Sequence, residues 1–269
     1  MDTSHAAAPT MAAPTMAAPP PRRMVGVSLK MYFTPAETLV YMTAIAHLAA
    51  SSPSLDIFII PDFLSLGSAQ ALLRAHTPSL QLGAQDCFWE DSGAYTGEIS
   101  PAGLRAVGCR LVELGHAERR RMFGETDEVV ARKASAAERN GLVPLVCIGE
   151  RGRGSLAEAV DECAMQMEAV LAVTAGELVF AYEPVWAIGA AQPAESGHVV
   201  AVTRALRERC AGREGGVRFL YGGSAGPGTF AGMREGVDGL FLGRFAHDVG
   251  NLEKVIREVS LSNENQILP

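Results

Sequence analysis

The sequence predicts an α/β fold in which eight parallel strands close into a (β/α)8 barrel. Short apolar runs alternate with longer helical patterns, and such alternation requires parallel pairing of the strands. Eight of these units fill residues 24–260, a length typical of a closed barrel. An open doubly wound sheet normally shows a G-x-G-x-x-G turn after its first strand, and residues 25–31 contain none. We therefore predict the closed barrel.

Each predicted strand is a short run of apolar and β-branched residues, and each is followed by a stretch with helical spacing. The predicted strands are 25–30, 57–61, 80–85, 110–114, 143–148, 178–182, 217–221 and 239–242. The predicted helices are 35–50, 67–76, 101–107, 126–140, 155–174, 194–211, 227–235 and 248–260. Three of the helices begin with a proline in the first turn, at Pro35, Pro101 and Pro227.

The two ends of the chain differ from this pattern. Residues 1–23 are mostly a low-complexity repeat of Ala, Pro, Thr and Met. The prolines prevent a regular helix and the segment has no large apolar side chains to bury. We expect a disordered tail at 1–23, a catalytic barrel domain at 24–260 and a polar C-terminal tail at 261–269.

Composition excludes several classes of protein. The 269 residues are 48% hydrophobic and 20% charged, with a formal net charge of −7, whereas a general nucleic-acid-binding surface is basic. No apolar run reaches the length of a membrane span. The five cysteines are scattered, without a C-x-x-C pair, which is typical of reduced thiols rather than of disulfides or zinc ligands. We expect a cytoplasmic protein with no metal, no nucleic-acid partner and no membrane partner.

The most informative stretch runs from Ala181 to Gly189 and reads AYEPVWAIG. Glu183 stands at the end of an apolar strand, and the rigid Pro184 and bulky Trp186 follow at once, before small residues that can flex. This order is typical of a catalytic base placed directly ahead of a closing lid. A glutamate at a strand end is more often a solvated turn residue, so the interpretation depends on further residues.

Those further residues stand at the ends of other predicted strands. Lys30 follows the first strand and His116 the fourth. Barrel enzymes carry their chemistry at the carboxyl ends of the strands, so Lys30, His116 and Glu183 are expected to converge. The last two strands end in the turns GGS at 222–224 and GR at 243–244, where barrels commonly bind phosphate through accessible backbone N–H groups.

Six segments of the chain resemble the triosephosphate isomerase family. They occur in the family's order from about residue 25 to 259, each at the expected strand end. The segments are KM at 30–31, a loop at 85–98 that ends in SGAYTGE, LGHAERR at 114–120, CIGE at 147–150, YEPVWAIG at 182–189 and YGGS at 221–224. On these motifs the chain is identified as a member of that family, whose fold is the TIM barrel.

The resemblance implies an aldose–ketose isomerase that interconverts dihydroxyacetone phosphate and glyceraldehyde 3-phosphate through an enediolate, in glycolysis and gluconeogenesis and without a cofactor. It makes Glu183 the base that moves the proton and His116 a neutral electrophile. Lys30 supplies positive charge to the enediolate and the phosphate. Ser28 and Glu118 are the supporting residues.

The same resemblance assigns residues outside the catalytic set, and it implies a homodimer. The lid begins with Pro184, Val185 and Trp186. The substrate phosphate is held by Gly189, Ser224, Gly243 and Arg244. The loop that docks into the neighbouring subunit carries Thr96 and Glu98, and it is longer than a typical connection.

Four positions depart from the family pattern, and all of them surround the substrate. Ser28 replaces an asparagine, and Ala117 replaces a serine after the catalytic histidine. The far end of the lid reads GAAQPA at 189–194 instead of GTGKTA, and Arg244 replaces the second glycine of the last phosphate loop. The catalytic residues are retained, so the chemistry is expected to be intact while the pocket is altered.

Three functions therefore stay open. The first is a triosephosphate isomerase proper. The second is a member of the family that isomerises a four-carbon ketose phosphate such as an erythrulose phosphate, at a rate that equals or exceeds the triose rate. The third is a non-catalytic sugar-phosphate-binding protein, which the complete Lys–His–Glu set disfavours.

Overall fold

The computed structural model describes residues 22–76 and 79–264, in which eight parallel strands form a closed barrel. Every strand pairs with its neighbours in sequence, and the first pairs with the last. The predicted (β/α)8 barrel is confirmed. The strands are β1 (Met24–Ser28), β2 (Asp56–Ile60), β3 (Leu80–Ala84), β4 (Leu111–Leu114), β5 (Val143–Ile148), β6 (Leu178–Tyr182), β7 (Val217–Tyr221) and β8 (Gly239–Leu242).

Helices surround the barrel and cover its outer face. They are α1 (Pro35–Ala50), α2 (Leu66–His76), α3 (Pro101–Val107), α4 (Ala117–Phe123), α5 (Asp127–Arg139), α6 (Leu156–Leu171), α7 (Ser196–Glu208), α8 (Thr229–Met233) and α9 (Val249–Glu264). Within the two described ranges, no helix is long and apolar enough to cross a bilayer.

Two of the three predicted helix starts match the structure. The hydroxyls of Thr34 and Ser100 cap α1 and α3 by accepting backbone N–H groups of the first turn. The third prediction, a helix from residue 227, begins too early. Gly228 has a φ of +87° and precedes the first residue of α8, Thr229, so Pro227 belongs to the turn.

The predicted domain boundaries also need correction. The carbonyl oxygen of Arg23 accepts the backbone N–H of Asp56 at 2.9 Å, and the Arg23 guanidinium donates to the carbonyl of Val237 at 2.7 Å. Arg23 is therefore part of the barrel rather than of the tail predicted at 1–23, of which residues 1–21 lie outside the described residues. Helix α9 continues to Glu264, four residues past the predicted end, and 265–269 are not described.

Alternation along the strands decides which side chains reach the barrel interior. In β4, Val112 and Leu114 belong to the apolar cluster between barrel and helices. Leu111 belongs to a second cluster inside the barrel, and Glu113 shares its register. In β1, Ser28 has the same inward register as Met24. The strand pattern thus places Glu113 and Ser28 inside the barrel.

Candidate active site

A cavity of about 840 Å³ opens at the carboxyl ends of the strands, where the predicted site residues lie. Its wall consists of the loops that follow β1, β4, β6, β7 and β8, together with the ends of those strands. The lining includes nine residues predicted from the sequence: Ser28, Lys30, His116, Glu118, Glu183, Gly189, Ser224, Gly243 and Arg244.

Lys30, His116 and Glu183 meet at this cavity. The Lys30 Nζ lies 3.4 Å from the His116 Nε2, which lies 3.4 Å from the Glu183 Oε2. The ammonium of Lys30 also donates to the Glu118 Oε1 at 2.6 Å. Lys30 has a φ of +50°, a strained value for a residue with a side chain. Its carbonyl accepts the Gln85 side-chain amide at 2.7 Å, which fixes this backbone.

The His116 imidazole is neutral, and its tautomer is set by its own chain. Burial, followed by the charge of Lys30, lowers the pKa of His116 to about 4. The backbone N–H of Glu118 donates to the His116 Nδ1 at 3.1 Å, so the proton is on Nε2. The Nε2–H and the Lys30 ammonium are neighbouring donors, and an oxygen atom placed between them would accept from both.

Glu183 is nearly enclosed, with 5% of its surface exposed. Burial, and then the charge of Glu113, raise the pKa of Glu183 well above its ordinary value, while the charge of Lys30 opposes the shift. Two glycines make room for the residue. A Cβ on Gly149 would lie 2.0 Å from the Glu183 carbonyl oxygen, and one on Gly222 would lie 2.3 Å from its Oε1.

Glu118 keeps Lys30 charged. Burial alone lowers the pKa of the Lys30 ammonium, but the hydrogen bond and charge of Glu118 and the charges of Glu183 and Glu113 outweigh it and raise that pKa overall. The cavity therefore contains a permanent cation beside a neutral imidazole and a buried carboxyl.

A second buried carboxyl, Glu113, was missed in the sequence. It is 3% exposed, it borders the cavity, and its Oε2 accepts the hydroxyl of Ser28 at 2.9 Å. Burial raises the pKa of Glu113 to about 7, although the hydrogen bond from Ser28 opposes that shift. The sequence did contain a signal for this residue. Glu113 is the one glutamate in the apolar run RLVEL at 110–114, and it is two residues after Leu111, so both side chains point into the barrel.

The segment predicted as a lid begins with a 3-10 turn, Val185–Ala187. The Trp186 indole donates to the Glu150 Oε1 at 2.9 Å, and the Val185 N–H donates to the Glu150 carbonyl at 2.9 Å. The Tyr182 hydroxyl donates to the same carboxylate at 3.1 Å, and His198 lies 3.3 Å from it. Glu150 and His198 were not predicted as site residues, although Glu150 ends the CIGE motif.

The far end of the lid and the glycine turns form the opposite side of the cavity. Gly189 has a φ of +71°, and the N–H of Ala194 donates to the Tyr221 hydroxyl at 2.8 Å. A Cβ on Gly243 would meet open space, so the glycine leaves its backbone accessible from the cavity. Arg244 is exposed at the mouth, with its guanidinium 5.9 Å from the centre of the Tyr32 ring.

Thr96 and Glu98, predicted for a subunit contact, do not line the cavity of their own chain. Both are exposed in the loop that follows β3. This loop is held by its own aromatic side chains, since the Phe88 ring lies 4.0 Å from that of Trp89 and 4.7 Å from that of Tyr95, centre to centre.

Comparison with known proteins agrees with this geometry. A family model described as triosephosphate isomerase matches residues 23–259. The chain is 47% identical over 248 residues to L-erythrulose-1-phosphate isomerase of Pectobacterium atrosepticum, covering 87% of this chain and 94% of that protein. It is 42% identical over 252 residues to the protein of that name from Rhizobium etli, covering 88% and 92%. It is 37% identical over 235 residues to triosephosphate isomerase of Pelobacter propionicus, covering 82% and 92%.

The six motifs, the closed barrel and the family match thus agree, and the resemblance stated from the sequence is confirmed. The chain belongs to the triosephosphate isomerase family and is an isomerase.

Proposed function

We propose that this isomerase acts on a four-carbon ketose phosphate, L-erythrulose-1-phosphate, by proton transfer through an enediolate. The observation that carries the chemistry is the meeting of Lys30, His116 and Glu183 at one cavity. The substrate rests on the relatives that bear this name, at 47% and 42% identity, and on the altered residues around the site. This differs from the triose substrate that the sequence motifs implied first.

The chemistry of the substrate determines where the proton moves. In L-erythrulose-1-phosphate the carbonyl is at C2, the phosphate ester is on C1, and C3 carries a hydroxyl and the hydroxymethyl group of C4. The ester prevents migration of the carbonyl to C1, so it moves to C3. Glu183 removes the C3 proton and returns a proton to C2, while the proton on the C3 oxygen is transferred to the C2 oxygen. Both reactant and product are ketoses, so the aldose–ketose description applies only to a triose substrate.

We assign the roles within the site by charge and geometry. Glu183 is the base, and its burial makes it a stronger one than an exposed glutamate. His116 donates through Nε2–H to the oxygens of the enediolate. The corresponding histidine of triosephosphate isomerase has this established role. Lys30 stabilises the negative charge that develops on those oxygens, because a fixed cation acts strongly in a site closed to water.

We propose that the phosphate binds where the loops after β6, β7 and β8 face the cavity. We assign it to the backbone N–H groups of Gly189, Ser224 and Gly243, with the guanidinium of Arg244 at the mouth as an added charge. The lid, from Pro184 to Ala194, excludes water once the phosphate is bound. Its Pro193 limits the backbone angles that the hinge can use.

The proposal predicts a substrate preference. We expect kcat/KM for L-erythrulose-1-phosphate to exceed that for dihydroxyacetone phosphate by about 10-fold or more, since one carbon in a pocket usually changes this ratio by about 10–200-fold. A coupled assay with each purified substrate measures it. A preference for dihydroxyacetone phosphate would indicate a triosephosphate isomerase of glycolysis and gluconeogenesis. Binding of both substrates without turnover of either would indicate a sugar-phosphate-binding protein.

We also propose that the enzyme is a homodimer, as the family resemblance implies. The segments that follow the four consecutive strands β1 to β4 expose large apolar side chains at one end of the barrel. Exposed fractions are 95% for Met31, 85% for Leu64, 44% for Tyr95 and 66% for Phe123. Such a concentration of apolar surface is typical of an interface, and the loop with Thr96 and Glu98 belongs to the same end.

The dimer is tested by sedimentation of the full chain at micromolar and sub-micromolar concentration. We expect wild type to sediment as a dimer and Leu64→Glu to shift toward the monomer, because a charge is costly at an apolar interface. Leu261→Glu is the control, since Leu261 is 54% exposed on α9 and outside the proposed interface. A fully active wild-type monomer would overturn the proposal, whereas a tetramer could be built from the same dimer.

A cytoplasmic location is part of the proposal. It rests on the five cysteines, which form no disulfide and of which four are buried. Reduced thiols are typical of compartments with a reducing glutathione pool.

A further inference from the structure

Glu113 is a buried carboxyl at the cavity that the proposed proton transfer does not use. Its strand, β4, lies opposite β8 in the closed ring of eight. The loop after β8 carries Gly243 and Arg244, to which the substrate phosphate is assigned. A substrate held by its phosphate at that side and extended across the cavity therefore points toward Glu113.

The environment of Glu113 suits a neutral hydroxyl group. Its Oε2 accepts the Ser28 hydroxyl at 2.9 Å, and a carboxylate accepts further hydrogen bonds through its remaining lone pairs. The nearby ammonium of Lys30 donates its hydrogen bond to a different carboxylate, Glu118, at 2.6 Å. A phosphate would be repelled by Glu113, whereas a hydroxyl can donate to a free lone pair of the carboxylate or of the Ser28 hydroxyl oxygen, whose own proton is donated to Glu113.

We propose that Glu113 and Ser28 bind the terminal hydroxymethyl group of the four-carbon substrate and so select it over a triose phosphate. This inference rests on the proposed function. The hydroxymethyl group is attached to C3, the carbon that gives up its proton, and dihydroxyacetone phosphate has only a hydrogen atom at that place. The triose therefore leaves the Glu113–Ser28 pair without its ligand.

Selection of this kind is expected to be large. A buried carboxylate is desolvated in the cavity, and a hydrogen bond from a substrate hydroxyl replaces the water that it has lost. Sites built to bind a hydroxyl reject the analogue that lacks it, because their own polar groups are then unpaired. Hydrogen bonds to charged groups correspond to about 10–100-fold in binding.

The test compares both substrates in the full-length enzyme. We expect Glu113→Leu to lower kcat/KM for L-erythrulose-1-phosphate, relative to dihydroxyacetone phosphate, by about 10–100-fold. Glu113→Gln keeps an acceptor and should change the ratio less, and Ser28→Ala should shift it in the same direction. The ratio is the readout, since loss of stability or of a charge near Glu183 affects both substrates together.

Glu150→Gln is the matched control, because Glu150 is as deeply buried but holds the lid and does not border the cavity. It should change turnover of both substrates by the same factor. If the wild type prefers the four-carbon ketose but the Glu113 variants lose kcat/KM equally on both substrates, this inference alone is overturned. A wild type without activity on that ketose would overturn the proposed function, and this inference with it.

Discussion

Replacing Glu183 with glutamine is expected to lower kcat by at least about 10³-fold. General-base catalysis contributes about 10²–10⁴-fold, and correct placement of the base adds to it. Glutamine has nearly the same shape, so the packing against Gly149 and Gly222 is kept while the proton acceptor is lost. Binding of inorganic phosphate, measured by the shift in Tm, should be largely unchanged because we assign the phosphate to backbone N–H groups, which this substitution keeps.

Glu177→Gln is the control for this variant. Glu177 directly precedes β6 at the opposite end of the barrel, where it pairs with Arg218, whereas Glu183 directly follows β6. The same chemical change at the two ends of one strand should therefore affect activity only at Glu183. If Glu183→Gln kept more than about a tenth of the wild-type kcat, another group would be the base.

Gly222→Ala is expected to lower kcat by about 10²-fold without unfolding the protein. The added Cβ would lie 2.3 Å from the Glu183 Oε1 and 2.6 Å from its Cγ, far inside van der Waals contact. The neighbouring atoms belong to a side chain, so the carboxyl shifts instead of the barrel. A displacement of about 1 Å in a reacting group costs about 10²-fold in rate.

Steady-state kinetics and Tm of Gly222→Ala and Gly216→Ala check this prediction. Gly216 lies just before β7, whose other end is followed by Gly222, and a Cβ there would meet open space. Gly216→Ala should therefore leave kcat and Tm near wild type. Full activity in Gly222→Ala would show that Glu183 does not need its present position.

The fold could be predicted from the sequence because strands of a parallel barrel are buried on both faces and read as short apolar runs. The runs at 143–148, 178–182, 217–221 and 239–242 coincide with β5 to β8. Errors concentrate at the ends of elements, where contacts between distant residues decide the boundary. Arg23 joins the barrel through Asp56 and Val237, and α9 extends past its predicted end.

The convergence of the three side chains to which we assign the catalysis could be predicted because each stands next to a recognisable strand end. Lys30, His116 and Glu183 follow three different strands, and closure of the barrel places the His116 Nε2 3.4 Å from both the Lys30 Nζ and the Glu183 Oε2. The Ser28–Glu113 contact joins strands that are not neighbours, β1 and β4, so no local pattern reveals it. The family motifs also could not distinguish a three-carbon from a four-carbon substrate, because that choice depends on side chains that face the cavity.

The most direct test of the account is the reaction of L-erythrulose-1-phosphate with wild type in D2O, followed by proton NMR. With carbons numbered as in the substrate, an enediolate mechanism predicts that the carbonyl moves from C2 to C3. It also predicts that deuterium from the solvent is incorporated at C2. Glu183→Gln should produce neither change on the same time scale. Turnover of dihydroxyacetone phosphate with no conversion of the four-carbon ketose would contradict the account.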